Sequence, residues 1–319
     1  MLFLTIRKAD KAATYVIMET SEYLQKIDDI LNETTKFKRI TRDPTEDLKK
    51  KVNKLIVKNN IASRSIKLEK LSGEFSMGYC YGNVKTHKPG NKLRPIISQI
   101  PTPTYNLAKQ LCTLLTPYVP STHNLQASSD FLDILKTSNT RGRVASLDVE
   151  SLFTNVPVDR TINYIIERPS YEISWKEAPF TCPRGNKYCQ IDGVAMGSPL
   201  GVLLANFFMG CVEEEVFKKL DKPDIYCRYI DDIFIKTEND DDAERLRLCL
   251  QEVSGLKLTI EKSVNNSIPF LDILAEDLQA LPSMRRQTGS HQSSMRAHEG
   301  RGTSQSASRP EESSSEAPA

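Results

Sequence analysis

Ile225-Tyr226-Cys227-Arg228-Tyr229-Ile230-Asp231-Asp232-Ile233-Phe234-Ile235 sets two short apolar, β-branched and aromatic runs on either side of adjacent carboxylates. The pattern predicts a β-hairpin with Asp231 and Asp232 at its turn. Two ionised aspartates side by side repel each other, and strands are depleted in Asp, so something should offset that cost. A divalent cation held by carboxylate oxygens would do so, and Mg²⁺ is commonly held by one or two carboxylates plus substrate phosphates. An acidic turn without a ligand is the alternative reading of the same residues.

Working outward, a further aspartate, Asp148, closes the apolar stretch Val144-Ala145-Ser146-Leu147, which reads as a buried strand. One strand-end acid and an Asp-Asp hairpin make up the set that a two-metal phosphoryl-transfer site requires. There, three carboxylates hold two cations roughly 3.5–4 Å apart. A strand-end Asp also serves simply as a cap for a following helix. Between the acids lies Gln190-Ile191-Asp192-Gly193-Val194-Ala195-Met196-Gly197-Ser198-Pro199-Leu200. Its glycines and proline, ahead of an apolar run, allow backbone to approach a flat ligand closely, or merely open a helix.

The chain has 319 residues, 39% of them hydrophobic, and a net charge of +2 that conceals an asymmetry. Residues 1–100 carry 20 Lys and Arg against 11 Asp and Glu, whereas residues 101–274 carry 18 against 24. A basic front and an acidic centre suit a protein that grips a phosphate backbone with one part and holds cations with another. The seven cysteines are scattered, with no C-x-x-C pair, which argues against a zinc knuckle or disulfide framework and for reduced thiols. No apolar run reaches membrane-spanning length, and the apolar start Met1–Ile6 is too short for a secretory signal. An intracellular protein of nucleus or cytoplasm, neither secreted nor membrane-bound, is the expectation.

The apolar periods predict helix over much of 19–60, a hairpin over 79–100 around Pro89-Gly90-Asn91, and helices over 105–118 and 200–216. Leu256–Ile260 and Pro269–Leu274 are expected to pair as strands around Asn265-Asn266. Residues 275–319 hold ten serines and almost no large apolar side chains, so a disordered tail is expected there.

In order along the chain, Asp148, Gly197-Ser198-Pro199, Tyr229-Ile230-Asp231-Asp232 and Phe270-Leu271-Asp272 resemble the palm motifs of reverse transcriptases. The wording of six stretches resembles Penelope-like retroelements in particular. They are Arg7–Lys11, Tyr81–Lys88, Leu93–Ser98, Ser146–Val149, Ser151–Pro157 and Ala195–Leu200. The resemblance implies an α/β (α+β) right-hand polymerase core: basic fingers over 1–140, a palm over 141–274, then the tail. It implies an RNA-directed DNA polymerase that adds dNTPs to a DNA primer on an RNA template, using Mg²⁺ with Mn²⁺ as an alternative. Asp148, Asp231 and Asp232 would be the catalytic, metal-binding acids. Arg94, with Lys85 or Lys88, would reach the incoming triphosphate. Phe153 would be a steric gate against a ribose 2′-hydroxyl, unless it is an ordinary core phenylalanine. Gly197, Ser198, Pro199, Tyr229 and Phe270 would contact template and primer, although a plain core strand is the equal alternative at Phe270. Lys257 or Lys262 would protonate the leaving pyrophosphate.

The sequence departs from that family at Ala12-Ala13, where a glycine pair is usual, and at Asn83-Val84, which replaces Leu-Pro. The stretch between Val156-Pro157 and Phe180 reads as short, as though a palm helix or part of it were missing. The family pattern ends after Leu274, so a thumb and a GIY-YIG endonuclease are expected to be absent and the element copy shortened at both ends. A nucleic-acid-binding remnant without catalysis, or a product that never folds, are the competing expectations.

Overall fold

The computed structural model of the chain describes residues 3–10, 13–62, 67–86, 90–138, 142–167, 178–265 and 267–276. β1 (Leu4–Lys8) and β2 (Tyr15–Glu19) pair antiparallel. They lead into α1 (Thr20–Leu31), whose buried stripe Tyr23, Ile27 and Leu31 repeats every four residues. β3 (Phe37–Ile40), α2 (Thr45–Ala62), β4 (Gly78–Val84) and β5 (Leu93–Ser98) follow. Next come α3 (Thr104–Leu115), α4 (Ser128–Thr137), β6 (Arg143–Val149), the one-turn α5 (Leu152–Asn155) and α6 (Val158–Glu167). β7 (Ala178–Thr181), β8 (Lys187–Gln190) and the 20-residue α7 (Leu200–Lys219) precede β9 (Ile225–Tyr229) and β10 (Asp232–Thr237). α8 (Asp240–Ser254), β11 (Leu258–Lys262), β12 (Ser267–Phe270) and β13 (Ile273–Glu276) complete the described chain.

Two larger sheets organise these elements. The first is antiparallel, in the order β11-β6-β10-β9. The second runs β3-β8-β7-β4-β5, with β4 and β7 parallel and its other pairs antiparallel. Residues 178–190 thus join the sheet built by β3, β4 and β5, far from them in sequence. β10 is buried on both faces, with Ile233, Phe234 and Ile235 all at 0% exposure. α7 is apolar nearly all round because it is enclosed by α3, α6 and α8 and by side chains of the four-stranded sheet. Among the described residues no helix is long and apolar enough to cross a membrane.

Three of the readings made from sequence turn out differently, and β1, β2, α4, β7, β8 and α8 are elements that were not expected. The 19–60 segment breaks into α1 and α2 around β3. β11 adds to β6 rather than to the strand after it, and β12 pairs with β13. Strand alternation says which side chains share a face but not which strand is the neighbour. The stretch after Pro157, expected to lack a palm helix or part of one, contains α6, packed against α7, while residues 168–177 lie outside the described residues. The expectation of disorder in the tail falls almost wholly outside the described residues.

Candidate active site

The acids come together through strand register. Asp148, near the end of β6, stands directly opposite Asp232, the first residue of β10. Opposed residues in an antiparallel ladder lie about 4.5–5.5 Å apart at Cα. Asp232 also pairs with Tyr229, so Ile230 and Asp231 form a two-residue turn, with Ile230 at φ +58°. The main-chain carbonyl of Asp231 accepts a hydrogen bond from Val149 N at 3.0 Å, tying the turn to the residue after Asp148. All three acids are half-buried at the sheet end.

They line one cleft of about 410 Å³. Lys85 and Arg94, from the β4–β5 hairpin, line it with them, as does Phe153 of α5. Lys88 lies outside the described residues. Arg94 Nε stands 2.9 Å from each carboxylate oxygen of Asp10. The Asp10 side chain is only 6% exposed, and its backbone N donates to Val84 O at 2.9 Å. A buried carboxylate bonded through Nε fixes the plane of the guanidinium while leaving its terminal amino groups uncommitted to that pair. Asp10 lies within the Arg7–Lys11 stretch of family wording, but nothing local in sequence reveals its partner 84 residues away.

Phe153 sits five residues past Asp148, half-buried. Its carbonyl accepts from Val194 N at 2.7 Å, and its ring lies beside Gly201, where a built Cβ would stand 3.7 Å from Cδ1. The ring is therefore backed by the first turn of α7. Lys36, which sequence reasoning missed, also lines the cleft, with its ammonium donating to Asn155 Oδ1. It immediately precedes β3, itself unexpected from sequence.

Other residues go elsewhere. Met196 lines the acid cleft, but Ser198 and Pro199 line a separate cleft of about 440 Å³ beside α2 and α3. Gly197 has φ +124°, and a Cβ there would stand 2.5 Å from Ile97 O. At Gly193 (φ +72°) a Cβ would stand 2.5 Å from Thr154 O. At these two positions glycine permits close approach of backbone to backbone. Tyr229 packs against the core that contains Phe234 and Phe270. Phe270 itself is 2% exposed, with its ring 4.8 Å from Phe131 and 5.5 Å from Phe234. The core-strand reading therefore holds for that ring, which has no surface to offer a primer. Lys257 pairs with Glu150 at 3.0 Å and Lys262 with Asp240 at 3.3 Å, and neither lines the acid cleft.

The cleft's acid donors are carboxylate oxygens, a set suited to a hard cation such as Mg²⁺ or Mn²⁺ rather than to a thiolate or imidazole metal. Among the described residues no three His, Cys, Asp or Glu side chains are already gathered round one cation position. The acids instead line an open cleft. That arrangement fits Mg²⁺, which draws most of its ligands from water and substrate phosphates.

A family model described as "Reverse transcriptase (RNA-dependent DNA polymerase)" matches residues 86–271. Among solved structures, the chain is similar to a telomerase from Candida albicans in complex with a TWJ fragment of telomeric RNA. The TM-score is 0.59 at 10% identity, covering 91% of this chain and 54% of that one. It is similar as well to an apo telomerase from Candida tropicalis truncated from its C-terminal domain. There the TM-score is 0.59 at 12% identity, covering 89% of this chain and 64% of that one. At these identities the likeness is one of fold, and it bears out the expected α/β polymerase core. The chain spans between half and two-thirds of the length of these structures. No curated protein matches it.

Proposed function

The chain belongs to the reverse transcriptase family, and on that premise we propose that it carries out RNA-directed DNA synthesis at the cleft of Asp148, Asp231 and Asp232. The observation that carries the proposal is the pairing of Asp148 with Asp232 across β6 and β10, facing Arg94 across one cleft. The three carboxylates would hold Mg²⁺, or Mn²⁺, against the triphosphate of a dNTP. When bound, such ions supply a more acidic primer 3′-hydroxyl and neutralise the leaving pyrophosphate.

The remaining work falls to the protein's own side chains. Arg94, held by Asp10, offers fixed positive charge where the phosphates gain negative charge, so it needs little reorganisation during reaction. Lys85 adds to that field. Phe153, backed by α7, sets the floor of the sugar site and would crowd a 2′-hydroxyl. The excess of Lys and Arg in residues 1–100 would grip the phosphate backbones of an RNA template and DNA primer. The motif wording further supports descent from a Penelope-like retroelement. All seven cysteines are free thiols, which suits a reducing compartment, nucleus or cytosol.

The test is extension of a DNA primer on an RNA template by the purified chain with Mg²⁺ and four dNTPs. Template-directed extension is expected. Folded protein that binds the primer–template but extends nothing would overturn the proposal and leave a binding remnant.

A further inference from the structure

Beneath the acid turn lies a buried charge that the proposed chemistry does not use. Arg228 is 0% exposed, on β9 two residues before Ile230. Its Nε donates to Glu213 Oε1 at 2.6 Å, and Nη2 lies 3.5 Å from Oε2. Nη1 donates to Asn206 Oδ1 at 2.8 Å and to the main-chain carbonyl of Ile230 at 3.1 Å. Glu213, 3% exposed, also accepts from Tyr226 Oη at 3.1 Å. Asn206 and Glu213 stand seven residues apart on α7, two helical turns, and so share one face. Tyr226 and Arg228 alternate on β9 and share one face of the sheet.

Stability alone is a poor account of this cluster. Burying an ion pair carries a desolvation cost, and well-packed apolar residues in its place are often as stable or more so. The specific bond is the one to Ile230. A β-branched residue at φ +58° is strained, and such strain persists only where the surroundings over-determine the backbone. Here both carbonyls of the two-residue turn are held. That of Asp231 is bonded to Val149 N on β6, beside Asp148. That of Ile230 is bonded to Arg228, and through Glu213 and Asn206 to α7.

We propose that Arg228, braced by Glu213 and Asn206, is a positioning residue that sets the spacing of Asp231 and Asp232 from Asp148, and thereby the cation affinity of the site. The inference rests on the function proposed above. An outer partner of this kind is worth about 10- to 100-fold in metal affinity. Lysine at 228 keeps the charge but cannot reach Glu213, Asn206 and the Ile230 carbonyl at once.

The test measures Mn²⁺ binding to the full chain without nucleic acid, by electron paramagnetic resonance of free Mn²⁺. It compares wild type, Asp231→Asn/Asp232→Asn, Arg228→Lys, and the apolar exchange Arg228→Met/Glu213→Leu. The exchange is included because it removes the Ile230 donor without leaving a lone buried charge, and replacing a buried ion pair by apolar residues is often neutral for stability. For whichever variants fold, the Mn²⁺ dissociation constant should rise about 10-fold or more. The Mg²⁺ concentration for half-maximal primer extension should rise in parallel, with activity and KM for dNTP both returning to wild-type values at saturating Mg²⁺. Folded variants with wild-type Mn²⁺ affinity and Mg²⁺ dependence would overturn the positioning role while leaving the proposed function intact. Wild-type protein that binds Mn²⁺ no better than the double aspartate variant would overturn the positioning role, and if that protein also extends no primer, the proposed function falls with it.

Discussion

Asp10 and Arg94 meet at 2.9 Å, with the carboxylate nearly sealed from solvent. Replacing Asp10 with Asn therefore frees a guanidinium whose plane is fixed by that partner. A hydrogen bond between charged groups contributes about 1.5–3 kcal/mol, so KM for dNTP should rise about 10- to 100-fold in steady-state extension. Primer–template affinity should not move, and an unchanged KM would separate Asp10 from nucleotide binding. At Phe153, truncation to Val opens the floor of the proposed sugar site. Discrimination against rNTPs should fall by about 10-fold or more, read from kcat/KM for each nucleotide, and retained discrimination would return Phe153 to the core. The three acids were legible in the sequence because carboxylates at apolar strand ends stand out against their surroundings. Arg94, Lys85 and Phe153 were legible only through the family wording that placed them, and the cleft brings them together with the acids. The roles of Asp10 and Lys36 were not legible, since they come from partners 84 and 119 residues distant. Phe270 could not be settled from sequence, because alternation along a strand does not say which face is covered.

The loop before α7 is where an element's shape depends most on a single residue. Alanine at 197 would need φ near +124° and a Cβ 2.5 Å from Ile97 O. Backbone strain and overpacking together should cost about 3 kcal/mol or more. A thermal melt should show the midpoint falling by several degrees, while an unchanged midpoint would mean the loop can shift away from β5 freely. Hairpins were the elements most legible beforehand. β9–β10 and β4–β5 both have dense β-branched or aromatic runs around turn residues. Four-residue strands such as β3, β7 and β8 were missed, being too short to show a period and gathered into one sheet only by tertiary pairing. α8 went unread although its signals are present. Asn239 caps Asp242 N, three aspartates fill the first turn, and Gly255 ends the helix at φ +70°. The partner of β11 was misread because β6, more than a hundred residues earlier, competes with the strand next in sequence.

For the whole molecule, pH and charge give independent checks. Burial holds His123 below its ordinary value of 6.5, and nearby Lys222 and Arg228 act in the same direction while Glu213 opposes them. Below about pH 6.5 the unfolded chain takes up a proton that the folded one refuses. Stability from this group is full above that pH and falls as the pH drops toward the folded value. Melts between pH 7.5 and 5 should show His123→Gln losing part of the wild type's decline. Equal declines in both would place that pH dependence elsewhere. The fold class was legible at this scale through the family resemblance, which Asp148, Gly197-Ser198-Pro199, Tyr229-Ile230-Asp231-Asp232 and Phe270-Leu271-Asp272 carry in that order. The interleaving of 178–190 with β3, β4 and β5 was not legible, since no local signal links them. The central claim is that Asp148, Asp231 and Asp232, brought together by the β6–β10 register, form a polymerising centre. Single-turnover primer extension on an RNA template, comparing wild type with Asp148→Asn, Asp231→Asn and Asp232→Asn at matched primer–template binding, tests it most directly. Extension by the wild type and its loss in each variant, with binding intact, is the result predicted here. Extension that survives any of the three substitutions, or is absent from folded wild type, would contradict it.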